Sequence, residues 1–317
     1  MKINCVVVTY NRLSLLKECL AALESQTYAP NQIVIIDNCS TDGTEAFLRG
    51  LPEGKYYVVR TERNLGGAGG FSLGLKTAVA AGCDFAWLMD DDTIPEPTAL
   101  EELVKVASAD PGAGFVCSRV DWTDGMPHVM NKAALICDKR GNPLPLQEAG
   151  QPAGRCRLCS FVSVLVNADA VRKVGLPVKE FFIWCDDIEY TLRISDAGYP
   201  CYFAPQSVAV HKTASNYSPA IHEVPASLAW RFYYQARNRC YMKRRKTRNK
   251  LIFFVFVWNM YRIYKQRIRR RKDKAGQKAF LDAVRRGCKD GLTFCPEIEY
   301  LPPLNEHDCP ETALEKA

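Results

Sequence analysis

Residues 85–97, FAWLMDDDTIPEP, place three consecutive carboxylates directly behind an apolar run. Like charges at successive positions repel, and no lysine or arginine lies within the stretch. Two readings fit. Either the acids form a solvated turn before a helix started by Pro95 and Pro97, or they hold a cation that arrives as a ligand. Hard carboxylate oxygens suit Mg²⁺ or Mn²⁺, and such an ion bridging a diphosphate would remove the repulsion. A second acidic cluster lies in FFIWCDDIEYTLRISDAGY (181–199), with Asp186, Asp187 and Glu189 at an expected helix start and Gly198 at its end. Acids in a first helical turn stabilise it by about 0.3–1 kcal/mol each. That explains having acids there, but not the aromatic run FFIW in front of them. An apolar wall beside a carboxylate suits a base next to a sugar ring. His211 closes an apolar strand in YFAPQSVAVHKTAS (202–215). It is either a structural histidine or an imidazole ligand for the same metal.

These residues need elements to carry them. INCVVVTY (3–10), QIVIIDN (32–38), KYYVVRTE (55–62) and FAWLMD (85–90) read as strands. Between the first two, Leu13, Leu16, Leu20 and Leu23 mark one face of a helix, and Ser40, Thr41 and Asp42 offer caps for the next. Strands alternating with helices imply a parallel sheet covered on both faces. Ligands of such sheets sit beyond the carboxyl ends of the strands. Thr9, Asp37, Arg63 to Gly70, and Asp90 to Asp92 all follow strand ends, so they should converge on one crevice. The glycines of NLGGAGGF permit close backbone approach to a phosphate, or alternatively close helix–strand packing. A dinucleotide fingerprint would follow the first strand, where this chain has TYNR, which argues against a dehydrogenase.

Composition narrows the class. Of 317 residues, 47% are hydrophobic, ample for a core, and no period of 20–50 residues repeats. The net charge of +7 conceals an asymmetry. Residues 231–289 hold 21 Lys/Arg and two acids, a block of +19, leaving −12 for the rest. Such a block meets phosphate, in nucleic acid or on an anionic membrane. Fourteen cysteines could suggest disulfides, but the N-terminus has no signal-peptide pattern, so cytoplasmic, reduced thiols are expected. Cys156 and Cys159 have C-x-x-C spacing, with no second pair or nearby histidine to complete a zinc set. They read as small buried apolar residues.

The signals VVVTYNR, IIDNCSTDGT, RNLGGAGGF, MDDDTIP, WCDDIEY and a downstream histidine together resemble family 2 glycosyltransferases of the GT-A fold. They span residues 3 to about 215. Within that family the triple Asp, the Trp-x-Asp-Asp-x-Glu run and the histidine are most similar to bacterial galactofuranosyltransferases and their rhamnosyltransferase-like relatives. The resemblance implies a Rossmann-like, mainly parallel mixed α/β sheet and an inverting, metal-dependent transfer. It places Thr9 and Asp37 against the donor nucleoside, and Arg63, Asn64, Gly66 and Gly67 along its diphosphate and sugar. Asp91 would face the donor sugar, while Asp90, Asp92 and His211 would hold Mn²⁺ or Mg²⁺. Asp187 becomes the catalytic base, and Trp184, Asp186 and Glu189 line the acceptor. The donor would be UDP-galactofuranose and the acceptor a growing cell-surface glycan. The alternatives are dTDP-rhamnose or another hexose donor, or a silent nucleotide-sugar or glycan-binding subunit.

Three regions are expected: a transferase domain at 1–225, a basic aromatic helical region at 226–290, and an extended tail at 291–317. The apolar run 251–261 is 11 residues long, against about 20 needed to span a bilayer. Helices lying on the anionic inner face of the plasma membrane are therefore expected. An oligomer interface is compatible with that contact. Nothing resembling an established nucleic-acid module accompanies the charge, so a nucleic-acid partner is not expected.

Overall fold

The valine-rich run after Met1 and Lys2 is buried on both faces, as a central parallel strand must be. It forms β1 (Ile3–Thr9), with all seven residues buried. In the computed structural model, residues 1–139, 144, 153–216 and 220–302 are described. After β1 come α1 (Leu13–Glu24), β2 (Gln32–Asp37), α2 (Thr44–Leu48), β3 (Tyr56–Arg60), α3 (Gly66–Ala80) and β4 (Phe85–Asp90). Next are β5 (Thr93–Pro95), α4 (Ala99–Ala109), β6 (Phe115–Asp121), β7 (Ala134–Leu135), β8 (Gly154–Leu158), β9 (Val164–Asn167) and α5 (Ala168–Val174). The chain continues with α6 (Asp186–Asp196), β10 (Cys201–His211), α7 (Ala229–Lys246), α8 (Lys250–Ile268) and α9 (Lys274–Gly291).

The sheet runs β3-β2-β1-β4-β9-β6-β10-β8-β7, with β5 paired to β10. The first four strands in that order are parallel, while β9 is antiparallel to both neighbours. Chain direction along the order reverses between β1 and β4, the topological switch point where open α/β sheets take ligands. Alternation of side chains divides the core. Val6, Val8, Val34 and Ile36 pack under α3, whereas Cys5, Val7, Ile33 and Ile35 pack under α1 and α4. A third core, with Phe232, Val257, Phe280 and Val284, joins α7, α8 and α9. Among the described residues, no helix is long and apolar enough to cross a membrane.

The glycines of α3 set how closely it lies on the sheet. A Cβ at Gly70 would come 2.5 Å from Val8 Cγ1, and one at Gly74 2.3 Å from Val6 Cγ1. Gly67 faces open space within 4 Å. The packing role therefore falls to Gly70 and Gly74. Gly74→Ala gains about 1 kcal/mol of helix propensity but forces overpacking that costs about 1–3 kcal/mol. A net loss is expected in urea denaturation, and a stabilised variant would contradict this packing.

Asp42 caps two helices rather than one. One carboxylate oxygen accepts from the Thr44 N–H at the head of α2 (3.2 Å), and the other from the Leu13 N–H at the head of α1 (3.0 Å). Beyond α9 the tail runs without regular structure to residue 302 and lies back on the sheet domain. The Leu176 N–H donates to Glu299 O (2.8 Å), and Glu299 pairs with Lys76 and Lys179. The remainder of the expected tail, 303–317, lies outside the described residues.

Candidate active site

Strand register assembles the first acidic cluster. β1 and β4 pair with Val8 opposite Asp90, so Asp91 leaves the sheet beside Thr9. Thr9 Oγ1 donates to Asp91 Oδ2 (2.7 Å), as does the Tyr10 N–H (3.3 Å). The cation absent from the local sequence comes partly from the chain itself. Arg12 Nη1 lies 3.3 Å from Asp91 Oδ1 and 2.5 Å from Asp92 Oδ2. Asp91, expected to face a donor sugar, is thus bonded on both oxygens and buried. Asp90 makes no side-chain hydrogen bond among the described residues. Burial, then the charges of Asp92 and Asp91, push its carboxyl well above the usual carboxylate range.

The antiparallel pairing of β5 with β10 sets His211 opposite Thr93. His211 Nε2 comes 3.1 Å from Asp92 Oδ1, without the alignment of a hydrogen bond. His211 Nδ1 lies 2.8 Å from Asn131 Oδ1, and the Asn131 amide nitrogen donates to Ser160 Oγ (2.9 Å). That network assigns the ring proton to Nδ1, leaving a lone pair on Nε2 facing a carboxylate oxygen. A proton or a metal cation between them would relieve the contact. Burial pushes the Asp92 carboxyl up, but a proton on His211 Nε2 and the Arg12 guanidinium outweigh it and hold it below the usual range. Among the described residues, no three His, Cys, Asp or Glu side chains are gathered as a metal set. Asp92 and His211 come within 3.1 Å of each other, and the charge of Asp92 acts on the neighbouring Asp90 carboxyl.

The second cluster rests on a strained loop. Phe182, Trp184 and Cys185 have φ of 63°, 65° and 69°. This region is rare for bulky residues and costs on the order of 1–3 kcal/mol at each. The Phe182 carbonyl accepts from the Ala68 N–H (3.2 Å), and a Cβ at Gly66 would sit 2.1 Å from that oxygen. The loop therefore touches the head of α3 and ends at the head of α6. Asp186 is buried there and Asp187 half-buried. Burial, then the Asp187 charge, pushes Asp186 up to about 8, and burial pushes Asp187 up to about 6. The charge of Asp186 also raises Asp90, so the two clusters face each other within Coulombic range. A pair of carboxyls with separated pKa values supplies one ionised base and one protonated donor near neutral pH.

Other expected site residues have visible tasks. Asp37 is fully buried, accepting from Arg60 Nη1 and from the Ser40 N–H (2.9 Å), so its carboxylate is committed to the loop after β2. Asn64 Oδ1 accepts from the Gly66 N–H (2.7 Å), which ties both residues into the start of α3. Gly67 and the exposed Arg63 stay open at the same end. Glu189 is held by Arg193 at 2.8 Å, and Arg193 donates to the carbonyls of Val174 and Leu176. Glu189, expected at the acceptor, is thus tied through Arg193 to the residues before α6. Trp184 is half-buried, edge-on to Phe232 at 5.1 Å. Arg12, Arg60 and Asn131 were missed, because each acts on a partner more than 20 residues away in sequence.

A doubly wound half-sheet with acids at its switch point, and a second acid pair within Coulombic range of them, has the architecture of a GT-A glycosyltransferase. The chain belongs to glycosyl transferase family 2, whose profile matches residues 5–164. It is 30% identical over 220 residues to galactofuranosyltransferase GlfT1 of Mycobacterium tuberculosis (strain H37Rv), covering 67% of this chain and 70% of that one. The Mycolicibacterium smegmatis GlfT1 is 32% identical over 203 residues, covering 62% and 66%. Among solved structures, GalNAc-T7 with UDP, GalNAc and Mn²⁺ superposes with a TM-score of 0.55 at 18% identity. That match covers 76% of this chain and about half, 51%, of the other. Mannosyltransferase PcManGT of Pyrobaculum calidifontis, with GDP-Man and Mn²⁺, gives 0.52 at 16%, covering 91% and 73%.

Proposed function

We propose that the chain is an inverting glycosyltransferase that moves galactofuranose from UDP-galactofuranose to a growing, lipid-linked cell-surface glycan. The single observation carrying the donor is the 30% identity to galactofuranosyltransferase GlfT1 over two-thirds of the chain. Asp187 removes the acceptor hydroxyl proton, because its raised pKa, about 6, leaves it ionised yet basic at neutral pH. Asp186, protonated at about 8, donates a hydrogen bond to the acceptor. The donor lies between this pair and the strand-end acids, so attack and departure take opposite sides of the anomeric carbon. Thr9 and Asp37 brace the nucleoside side of the crevice, while Gly67 and Arg63 face the diphosphate. Trp184 presents an apolar surface to the acceptor sugar.

The donor set suits a divalent ion. Asp90, Asp92 and His211 would hold Mn²⁺ or Mg²⁺, and the unpaired Asp92 Oδ1 facing His211 Nε2 is the feature it fits. When bound, the ion supplies positive charge to the leaving diphosphate. Arg12, half-exposed, exchanges its hold on Asp92 for the diphosphate as the site fills. Gly67→Ala should raise helix stability by up to about 1 kcal/mol while weakening UDP binding in calorimetry. Unchanged UDP affinity would remove Gly67 from the donor site.

The α7–α9 region docks the enzyme on an anionic membrane. On α8, Phe253, Val257 and Met260 face the helical core, while Leu251, Phe254, Val255 and Trp258 are over half exposed. Lys and Arg side chains flank that apolar face at 243–250 and 262–272. Deleting 243–290 would open the shared core, so point variants are the cleaner test. Phe254→Asp with Trp258→Asp should abolish pelleting with phosphatidylglycerol vesicles at unchanged melting temperature. Undiminished pelleting would assign the membrane contact elsewhere. The function itself is tested by incubating the protein with Mn²⁺, synthetic galactofuranosyl and rhamnosyl acceptors, and a panel of nucleotide sugars. Extension only from UDP-galactofuranose is expected, and extension only from dTDP-rhamnose would move the donor assignment.

A further inference from the structure

We propose that Asn238 on α7 is a positioning residue that holds the strained Phe181–Cys185 loop, and through it aims Asp187 at the acceptor. Asn238 is fully buried. Its amide nitrogen donates to three carbonyls of the loop: Phe181 (3.0 Å), Ile183 (3.3 Å) and Trp184 (2.9 Å). Three acceptors share two N–H groups, so the side chain is committed to that one segment. Its Oδ1 is occupied as well, accepting from Arg237 Nε (3.1 Å) and Nη2 (3.0 Å). Arg237 Nη2 also donates to Glu180 O (2.5 Å), and its guanidinium lies against Phe294 and Tyr234. Arg237 thus fixes Asn238, and Asn238 fixes the loop.

The need for such a clamp is physical. Phe182, Trp184 and Cys185 occupy left-handed backbone that bulky side chains leave when unconstrained. Cys185 directly precedes α6, so its φ sets the direction in which Asp186 and Asp187 leave the loop. On the opposite side the Phe182 carbonyl is pinned by the Ala68 N–H of α3. The loop is therefore held between the donor-side helix and the C-terminal helical region. That makes α7 part of the active site and not only an anchor.

This inference rests on Asp187 as the base, and the test separates the two. Asn238→Ala and, as a milder change, Arg237→Lys are made in the full chain. Amide hydrogen exchange is followed by mass spectrometry without substrate, and transfer is assayed from UDP-galactofuranose. Exchange across 182–187 should accelerate at least about tenfold while β1, β2 and β4 keep their protection. Turnover should fall by about 10²-fold for a displaced base, with the donor KM within about twofold of wild type. Arg237→Lys should shift both readouts the same way by less, and it carries the test if Asn238→Ala does not fold. Unchanged exchange at 182–187, or a donor KM that rises as kcat falls with exchange quickened throughout, would make Asn238 merely structural and overturn the proposal. Asp187→Asn is assayed in parallel. Wild-type turnover there would remove the base assignment, while exchange would still judge the clamp.

Discussion

Asp187→Asn is expected to lower single-turnover transfer by about 10²–10⁴-fold, on the order of 3–5 kcal/mol of barrier. Asparagine keeps the size and can still accept the Ile188 N–H that Asp187 Oδ1 takes at 2.7 Å. It cannot take a proton at neutral pH. Donor affinity should stay within about twofold, because the strand-end acids lie across the crevice. In the wild type, turnover should rise with pH through about 6 as Asp187 ionises, and fall above about 8 as Asp186 loses its proton. The rising limb should vanish from the residual activity of Asp187→Asn. Stopped-flow or quenched assays at saturating donor read both effects. If Asp186 and Asp187 served only the helix dipole, the variant would lose about 0.3–1 kcal/mol of stability and keep its rate.

The second large effect is expected from Asp92→Ala. Asp92 meets Arg12 on one oxygen and His211 on the other. Removing its carboxylate leaves Arg12 paired with Asp91, so the fold should survive with a modest loss. Wild-type UDP affinity should fall sharply when EDTA strips divalent ions. The variant should bind UDP weakly, by about 10–100-fold, and equally with Mn²⁺ or EDTA. Titration calorimetry showing Mn²⁺-stimulated UDP binding retained in Asp92→Ala would remove Asp92 and its His211 partner from the metal assignment.

The strands of the first ninety residues were legible because three carry Val/Ile runs and the fourth, FAWLMD, is an unbroken apolar run ending in Asp, as buried parallel strands require. Their carboxyl ends then point to one crevice by topology alone. The partners at those ends were not legible. Arg12 reaches Asp91 and Asp92 only through the β1–β4 register, which joins residues about 80 apart. His211 reaches Asp92 only because β10 runs antiparallel to β5. The sequence read FFIW, 181–184, as an aromatic wall. Left-handed φ at Phe182, Trp184 and Cys185 has no local signature, since it is imposed by Asn238 from another helix. The basic region read as an anchor because charge dominates its composition. Its buried stripe, Phe253, Val257, Met260, Tyr264 and Ile268, fixes a helical core that charge counting cannot show.

Stereochemistry at the anomeric carbon separates a single displacement from a double one. UDP-galactofuranose with an α-linked diphosphate is incubated with the protein, Mn²⁺ and a synthetic galactofuranosyl acceptor, and the new anomeric signal is read by NMR before any isomerisation. A single displacement with Asp187 as base predicts a β-linked galactofuranose formed by the wild type and lost in Asp187→Asn. An α-linked product would require retention, and with it a chemistry that this arrangement of carboxylates does not provide.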